Sequence, residues 1–424
     1  MLEHDLESEL TPAIGGYADL TRTQLVTLLP ELLLCGQFVD RAGMPWAIIH
    51  LGQDEMAQVA CEEWMGASPI YTQRMQRALD FVGDDVITIF KGLQLDCGAP
   101  PQYMDFRYSL ESPTRGHFEL AHCGALMDVE PMGQDMAKLM CHDMEDPTFD
   151  ATAIATNPKA RMRPIHRPPR RPEDIAADTR PHCRWVVFID ETADPLPVPS
   201  ETVEMQSTRA AGLELSPIDP SDDGRSAYDG PLVDDIDFAE YSRSALVRMA
   251  DEVTLQLHLL DQAFARAIRR RVTDDATAIE ILTNQAMGFA ASAAARFVKA
   301  LEIPPTLAGA AYLLSVHPVL NPRAYVALDV DGSSMHMNPS PAQEDPDSWP
   351  TLTGPGRPEV LQAIVRALEP SFDVEVTGTD SDWTARVVHG VAPRKEPSAI
   401  KFAGASAANS WEFSHRTSLP ITPV

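Results

Sequence analysis

Three pairs of adjacent histidine and cysteine residues are the clearest chemical feature of this sequence: His122–Cys123, Cys141–His142 and His182–Cys183. Thiolate and imidazole groups are the usual ligands of Zn²⁺ and other first-row metals, and a site needs three or four of them to converge. The sequence therefore predicts a site for a divalent metal such as zinc or iron. Its expected ligands are His122, Cys123, Cys141, His182 and Cys183.

Cys141 is also the strongest candidate for a catalytic nucleophile. It stands in the segment MCHDMEDPTFD, directly before His142 and Asp143. A cysteine attacks at neutral pH when its pKa is lowered, and a nearby imidazolium has this effect. We therefore expect Cys141 to act as nucleophile or metal ligand, with His142, Asp143 and His166 in proton transfer. The alternative is simple burial, since free cysteine is among the most buried residue types.

A basic segment lies between the second and third pairs. Residues 159–174 read KARMRPIHRPPRRPED and carry six cationic side chains in an otherwise acidic chain. Arginine recognises carboxylates and phosphates through paired hydrogen bonds. Arg163 and Arg167 are therefore expected to hold an anionic small-molecule substrate. The alternative is that these arginines pair with carboxylates of the protein itself.

The net charge narrows the classes of partner. The 424 residues contain 34 Lys and Arg against 62 Asp and Glu, which gives −28 at pH 7. Such a chain is repelled by nucleic acid and by anionic membranes. No apolar run reaches 18 residues, and the N-terminus MLEHDLESEL lacks the order of a signal peptide. We expect a cytoplasmic protein that binds neither nucleic acid nor membrane; the sequence leaves a homo-oligomer open.

Charge and proline also divide the chain. Residues 191–237 contain twelve acidic residues, two arginines and six prolines. Like-charge repulsion and proline both oppose a packed core, so the segment is predicted to be a mobile acidic linker. The expected domains are then 1–190, which contains all six cysteines, and 238–424, which contains none.

The two halves resemble each other. Residues 20–40 match 241–261 at an offset of 221, and 59–81 match 281–303 after a slip of one residue. Further matches place 146–150 on 369–373 and 183–185 on 409–411. The second half contains no cysteine at any of these matched positions. We therefore predict two tandem copies that form a pseudo-dimer, with a specialised site in the first copy and a degenerate second copy.

Periodicity predicts the shared plan of each copy. Helical patterns come first and alternating strand patterns follow, which indicates an α+β fold built from a helical cap and an antiparallel sheet. Ser68 and Pro69 have the residue types of a helix N-cap and first helical position. In the first half the predicted helices are 22–36, 54–65, 69–80 and 134–141, and the predicted strands are 104–110, 117–123 and 184–190.

Several of these features occur in the same order in a known family. They are EEWMGASP (62–69), Cys123, Cys141, NPKARMRPIHRPP (157–169) and HCRWVVF (182–188). Through them, residues 20–190 resemble bacterial proteins related to L-2-amino-thiazoline-4-carboxylic acid hydrolase. The resemblance implies a helical cap before a domain like the 4-vinyl-reductase type, and cysteine-dependent opening of a small C–N or C–S ring. The histidine beside each cysteine and the cysteine-free second copy depart from that pattern.

These observations favour a small-molecule enzyme, a hydrolase of a cyclic or amide-like C–N or C–S bond that uses Cys141 and its neighbours. The main alternative is a non-catalytic protein whose Cys/His cluster binds a small molecule, a metal or a metal cofactor. A third interpretation is an interaction module with buried cysteines and no small-molecule site.

Overall fold

The computed structural model describes residues 15–390 and 395–423, so the acidic N-terminal segment 1–10 lies outside the described residues. Two antiparallel four-stranded sheets combined with helices confirm the α+β class. The elements of the first half are α1 (Arg22–Leu51), α2 (Gln53–Ala78), α3 (Val86–Leu93), β1 (Met104–Ser112), β2 (Arg115–Cys123), α4 (Gly124–Val129), α5 (Gln134–Lys138), a π-helical segment (Leu139–Met144), α6 (Glu145–Ile154), β3 (Ala160–His166), α7 (Pro172–Ala176) and β4 (Cys183–Ile189).

The second half repeats this order after a connecting segment. Helices precede a short hairpin, and a helix then leads to a second hairpin. The remaining elements are α8 (Ser200–Met205), α9 (Arg209–Gly212), α10 (Arg243–Arg271), α11 (Asp275–Ala300), α12 (Leu307–Val316), β5 (Leu328–Asp331), β6 (Ser334–Met337), α13 (Glu359–Leu368), β7 (Phe372–Gly378), β8 (Trp383–His389) and α14 (Ser398–Gly404).

The long helices of the two halves form one bundle. Helix α1 packs against α11, and α10 packs against α2, so each half contributes to both pairs. Both first helices begin at a hydroxyl cap: the side chain of Thr21 accepts from Gln24 N, and that of Ser242 accepts from Ala245 N. Such caps satisfy amides that have no partner within the helix. No helix within the described ranges is long and apolar enough to span a membrane.

Two helices are longer than the sequence patterns predict. Helix α1 continues to Leu51, and α2 runs without a break through Ser68 and Pro69, so the predicted N-cap at this point is wrong. Proline inside a helix removes one backbone hydrogen bond and favours a kink. Here both residues are buried in the bundle, where packing on the neighbouring helices holds the continuous helix together.

Each half has a sheet with the same strand order, in which the second and fourth strands are central. The orders are β1-β2-β4-β3 and β5-β6-β8-β7, antiparallel throughout. The three strands predicted in the first half are confirmed. Their inward-facing side chains include Phe118 opposite Trp185 in neighbouring strands, and both are fully buried. Strand β3, which carries the basic segment, lies at an edge of its sheet.

Two of the sequence matches between the halves are wrong. Residues 183–185 begin β4, whereas 409–411 follow α14; the strand at the corresponding sheet position is β8. Residues 146–150 belong to α6, whereas Phe372 already begins β7. Short identical runs had aligned different elements. The prediction of a specialised first copy and a degenerate second copy therefore loses the support of these two matches.

Reciprocal contacts cross between the halves. Arg74 of α2 donates to Glu252 of α10 (Nε–Oε2, 2.8 Å), and Arg296 of α11 donates to Glu31 of α1 (Nε–Oε2, 2.7 Å). All four residues are buried. Each arginine also donates to backbone carbonyls of a segment that crosses over it: Ala211 and Leu213 for Arg74, Asn409 and Trp411 for Arg296.

The segment 191–237 is packed against the body of the protein where the sequence predicts a mobile linker. Met205 and Tyr228 are buried, and Thr202 donates a hydrogen bond to the Met65 carbonyl (2.6 Å). The Lys91 ammonium donates to the carbonyls of Tyr228 (2.8 Å) and Gly230 (2.7 Å). The apolar side chains interspersed among the acids provide the contacts that composition alone did not reveal.

Candidate functional site

The structure places the thiols of Cys123, Cys141 and Cys183 near one another on the buried side of the first sheet. All three are free and buried. Burial raises each thiol pKa: that of Cys123 to about 12, and those of Cys141 and Cys183 well above the usual value. The neighbouring Glu145 raises them further. Raised thiol pKa values are the opposite of what an activated nucleophile requires.

The histidines of the three pairs do not join these thiols in one site. His182 is buried, its Nδ1 accepts from Cys123 N (3.0 Å), and burial lowers its pKa to about 4. His122 stacks on Trp411 with ring centroids 4.9 Å apart. His142 Nε2 donates to the Pro168 carbonyl (2.8 Å). Each ring is engaged in local packing or hydrogen bonding.

Of the remaining predicted site residues, Asp143, His166 and Arg163 are exposed and Arg167 is half-buried. Arg163 donates to Asp150 at 2.8 and 2.9 Å. Arg167 makes a two-pronged pair with Asp146. The two arginines expected to hold an anionic substrate are therefore paired with carboxylates of the protein.

Within the described parts of the chain, no group of three or more His, Cys, Asp or Glu side chains has an arrangement that could hold a metal ion. The five predicted ligands belong to the three separate His/Cys pairs. In a strand, the side chains of neighbouring residues point to opposite faces of the sheet. His122 and Cys123 therefore diverge. The donor set expected for zinc or iron does not fit the geometry of these residues.

Slow thiol alkylation is the expected consequence. In the folded protein at pH 7.5, iodoacetamide should modify Cys123, Cys141 and Cys183 on the order of 100-fold more slowly than free cysteine, because burial suppresses the thiolate. Mass spectrometry of timed samples measures this, with urea-unfolded protein as the control in which all six cysteines react. Modification of Cys141 as fast as free cysteine would restore it as a nucleophile.

A cavity of about 320 Å³ lies between α1, α2, β1 and the segment 125–152. The walls of the cavity are mainly apolar. Helices α2 and α6 and strand β1 contribute the aromatic side chains Trp64, Tyr71, Phe106 and Phe149. Methionine is a flexible, polarizable side chain that adapts to varied ligands. Seven of the chain's 17 methionines line this cavity: Met44, Met56, Met104, Met132, Met136, Met140 and Met144.

Two carboxyl groups face the cavity from the α1 side and from the loop after α3. Asp40 accepts the Trp64 indole N–H, with both oxygens 3.3 Å from Nε1. Asp96 accepts the Tyr71 hydroxyl (2.8 Å) and the Gly98 amide (2.7 Å). Burial raises the pKa of each carboxyl to about 6. Both are therefore mostly ionised at pH 7.5 and within reach of protonation near neutral pH.

Gly98 allows the Trp64 indole to lie close to the loop. A Cβ at this position would come within 2.7 Å of the indole ring, so any other residue displaces either the ring or the loop. Glycine thus fixes the relative positions of Trp64 and Asp96, and with them the polar end of the cavity.

A third carboxyl lies behind Asp40. Glu63 is fully buried, and neither of its oxygens has a hydrogen bond of ordinary length among the described residues. Burial, together with the charges of Asp40 and Asp261, raises the Glu63 pKa well above its usual value. Burial therefore favours the neutral form of Glu63.

The basic group at the cavity is Arg41, and its charge is already engaged. Its Nε lies 2.8 Å from Asp128, which also accepts from Ser406 Oγ (2.7 Å) and Ala407 N (2.9 Å). This network attaches the segment after α14 to the first half. The cavity is consequently built by both halves.

The opening of the cavity is apolar. Met132 is 60% exposed and Phe402 is 42% exposed, and both line the cavity from opposite halves of the chain. Phe402 packs edge-on against Trp46 with centroids 5.6 Å apart. An apolar molecule can therefore reach the cavity between the segment after α4 and helix α14.

Sequence reasoning missed Asp40 and Asp96, although two signals were present. Asp40 ends the apolar run LLLCGQFVD, where a charge is unusual. Met132, Met136, Met140 and Met144 recur every four residues, which places them on one helical face.

Comparison with known proteins gives no family or relative. No protein-family model, no curated protein and no solved structure matches the chain. The fold and the cavity define a class of protein: an α+β protein with a methionine-lined pocket at one side of its helix bundle.

Proposed function

We propose that this protein binds a small, mostly apolar organic molecule in the methionine-lined cavity. The observation that carries the proposal is the combination of a mainly apolar space of about 320 Å³ with a few ionisable groups in its lining. Ligand sites in proteins are typically concave, mainly apolar and supplied with a few polar groups that orient the ligand. The volume of this cavity lies at the lower end of the roughly 300–1,000 Å³ that such sites occupy.

Hydrolysis of a C–N or C–S bond in the bound molecule stays a prediction, as does the resemblance to the thiazoline-carboxylate hydrolase group. What supports chemistry at this site is the pair Asp40 and Asp96, whose pKa values of about 6 suit a general base near neutral pH. Cys141, as a buried thiol, supports it less. A cytoplasmic location likewise stays a prediction.

We also propose that the chain is a tandem pseudo-dimer. The support is the identical strand order of the two sheets and the reciprocal arginine–glutamate pairs, which repeat at offsets of 221 and 222 residues. An isologous contact between two like surfaces has this reciprocity. The division into domains at 191–237 stays a prediction.

Fluorescence titration with N-phenyl-1-naphthylamine, a neutral apolar dye, tests the binding proposal. We expect one dye per chain, with enhanced emission, because the ring system fits an apolar cavity of this size. The substitution Ala125→Phe places a ring in the cavity and should weaken dye binding at least tenfold.

The matched control is Ala177→Phe, which adds the same ring at an exposed position outside the cavity. It should leave the titration unchanged. Dye binding that is equal in the wild type and in Ala125→Phe would show that the dye binds elsewhere and would overturn the proposal.

A further inference from the structure

We infer that the ligand of the methionine-lined cavity carries a protonated amine, which Asp40 and Asp96 bind. The inference rests on the proposed function and specifies its substrate class: a compact organic cation with an apolar body. The basic segment 159–174 predicts a ligand of the opposite charge, an anion. Arg163 and Arg167, the two arginines expected to bind it, do not line the cavity and are paired with Asp150 and Asp146.

The charges that line the cavity carry this inference. They comprise the carboxyl groups of Asp40, Asp96, Asp128 and Glu145 and the guanidinium of Arg41. Arg41 and Asp128 neutralise each other at 2.8 Å, and burial raises the Glu145 pKa to about 8, which leaves Glu145 mostly neutral at pH 7. Arg41 also attracts the Asp40 carboxylate, but with Asp40 and Asp96 ionised the lining groups together carry a negative charge.

Neither of these carboxylates has a salt bridge in the described part of the chain, and their hydrogen-bond donors are neutral. The Arg41 guanidinium attracts the Asp40 carboxylate and lowers its pKa against the effect of burial, whereas Asp96 has no such neighbour among the causes of its shift. Asp40 accepts from Trp64, and Asp96 accepts from Tyr71 and Gly98. Asp96 is only 5% exposed. An ionised carboxylate in an apolar site is costly unless a cation pairs with it. An ammonium group on the ligand supplies this missing partner.

The aromatic walls fit the same ligand. Trp64 and Tyr71 present ring systems next to the two carboxylates, and a cation over an aromatic face is attracted by the ring quadrupole. The methionine side chains then surround the apolar body of the ligand. The polar and apolar parts of the cavity thus match the two parts of an amphiphilic amine.

The second half shows what happens at the corresponding place without a cavity. Asp261, which stands 221 residues after Asp40, accepts the backbone amide of Trp349. The Trp349 indole fills the space: it stacks on Phe289 (centroids 4.1 Å) and donates to Gln285 (3.1 Å). The side chain of Trp349 thus occupies the space beside Asp261, whereas Asp40 lines an open cavity.

Competition against N-phenyl-1-naphthylamine tests the inference. The competitors are 4-phenylbutylamine, a cation at pH 7.5, its neutral analogue 4-phenylbutan-1-ol, and the anion 4-phenylbutyrate. We expect the amine to bind at least tenfold more tightly than the alcohol, and the acid to bind more weakly than both. Asp40→Asn and Asp96→Asn should each reduce the amine preference below threefold and retain binding of the alcohol.

Asp135→Asn is the matched control, since it removes an exposed charge that does not line the cavity. It should leave the amine preference intact. Equal affinity for amine and alcohol in the wild type would overturn the inference and leave the proposed function standing. If Asp135→Asn lowers the preference as much as Asp40→Asn does, a general negative field explains it, and the inference is again overturned. Failure of the dye itself to bind would contradict the proposed function.

Discussion

Replacing Glu31 by glutamine is expected to lower the free energy of unfolding by about 3–5 kcal/mol, the usual cost of removing one partner from a buried ion pair. The Arg296 side chain is only 4% exposed and has both of its Glu31 contacts at 2.7 and 2.8 Å. Without the Glu31 carboxylate, the buried Arg296 charge keeps only neutral partners, among them the Asn409 and Trp411 carbonyls and the Phe413 ring. Since the pair joins the two halves, the loss should appear as a shift in the urea midpoint of the whole protein.

Two comparisons sharpen this experiment. Glu375→Gln removes an exposed pair with Arg386 and should cost less than about 1 kcal/mol. Replacing both Glu31 and Arg296 by leucine and methionine should recover much of the lost stability, because no buried charge is then left unpaired. A loss below about 1 kcal/mol for Glu31→Gln would mean that the reciprocal pairs do not hold the halves together.

Replacing Trp349 by alanine should cost a similar amount, about 3–5 kcal/mol, because it deletes a large, fully buried ring. The indole fills the space between α10 and α11 and packs against His258, with centroids 5.0 Å apart. Its removal leaves a void in the second half and also removes the hydrogen bond to Gln285. Urea unfolding monitored by circular dichroism measures the loss.

The corresponding change in the first half is Trp64→Ala. Trp64 already faces the cavity and is only half-buried, so its loss should cost clearly less stability than that of Trp349. It should instead weaken dye binding. Equal stability losses for the two variants would contradict the distinction between a filled second half and an open first half.

The positions of the helices and strands were largely predictable from the sequence, but the full lengths of the long helices were not. Alternation along 104–110 and 117–123 predicted strands that the structure confirms. The break expected at Pro69 does not occur, because contacts with α10 and α6 hold α2 together across the proline. Contacts between distant segments, which sequence periodicity does not contain, decided this case.

The site was less predictable for the same reason. Adjacent histidine and cysteine residues suggested a metal centre, but neighbours on a strand point to opposite faces, so His122 and Cys123 separate. The cavity combines Asp40, Asp96 and Phe402, which are far apart in the chain. Only the packing of the second half against the first brings Phe402 to the opening.

The buried carboxyl groups at the cavity and behind it indicate that the fold loses some stability at this site. Asp96 and Glu63 are buried, and their raised pKa values show that burial opposes their ionisation. Proteins commonly sacrifice stability where polar groups are needed for function. Asp96 lines the cavity, so a carboxyl at this buried position agrees with a role toward a ligand.

A crystal structure of the protein with 4-phenylbutylamine tests the central claim most directly. We predict the phenyl ring among the methionines of the cavity and the ammonium nitrogen about 2.8 Å from a carboxylate oxygen of Asp40 or Asp96. An empty cavity at saturating amine, or an amine bound only at the outer surface, would contradict the claim.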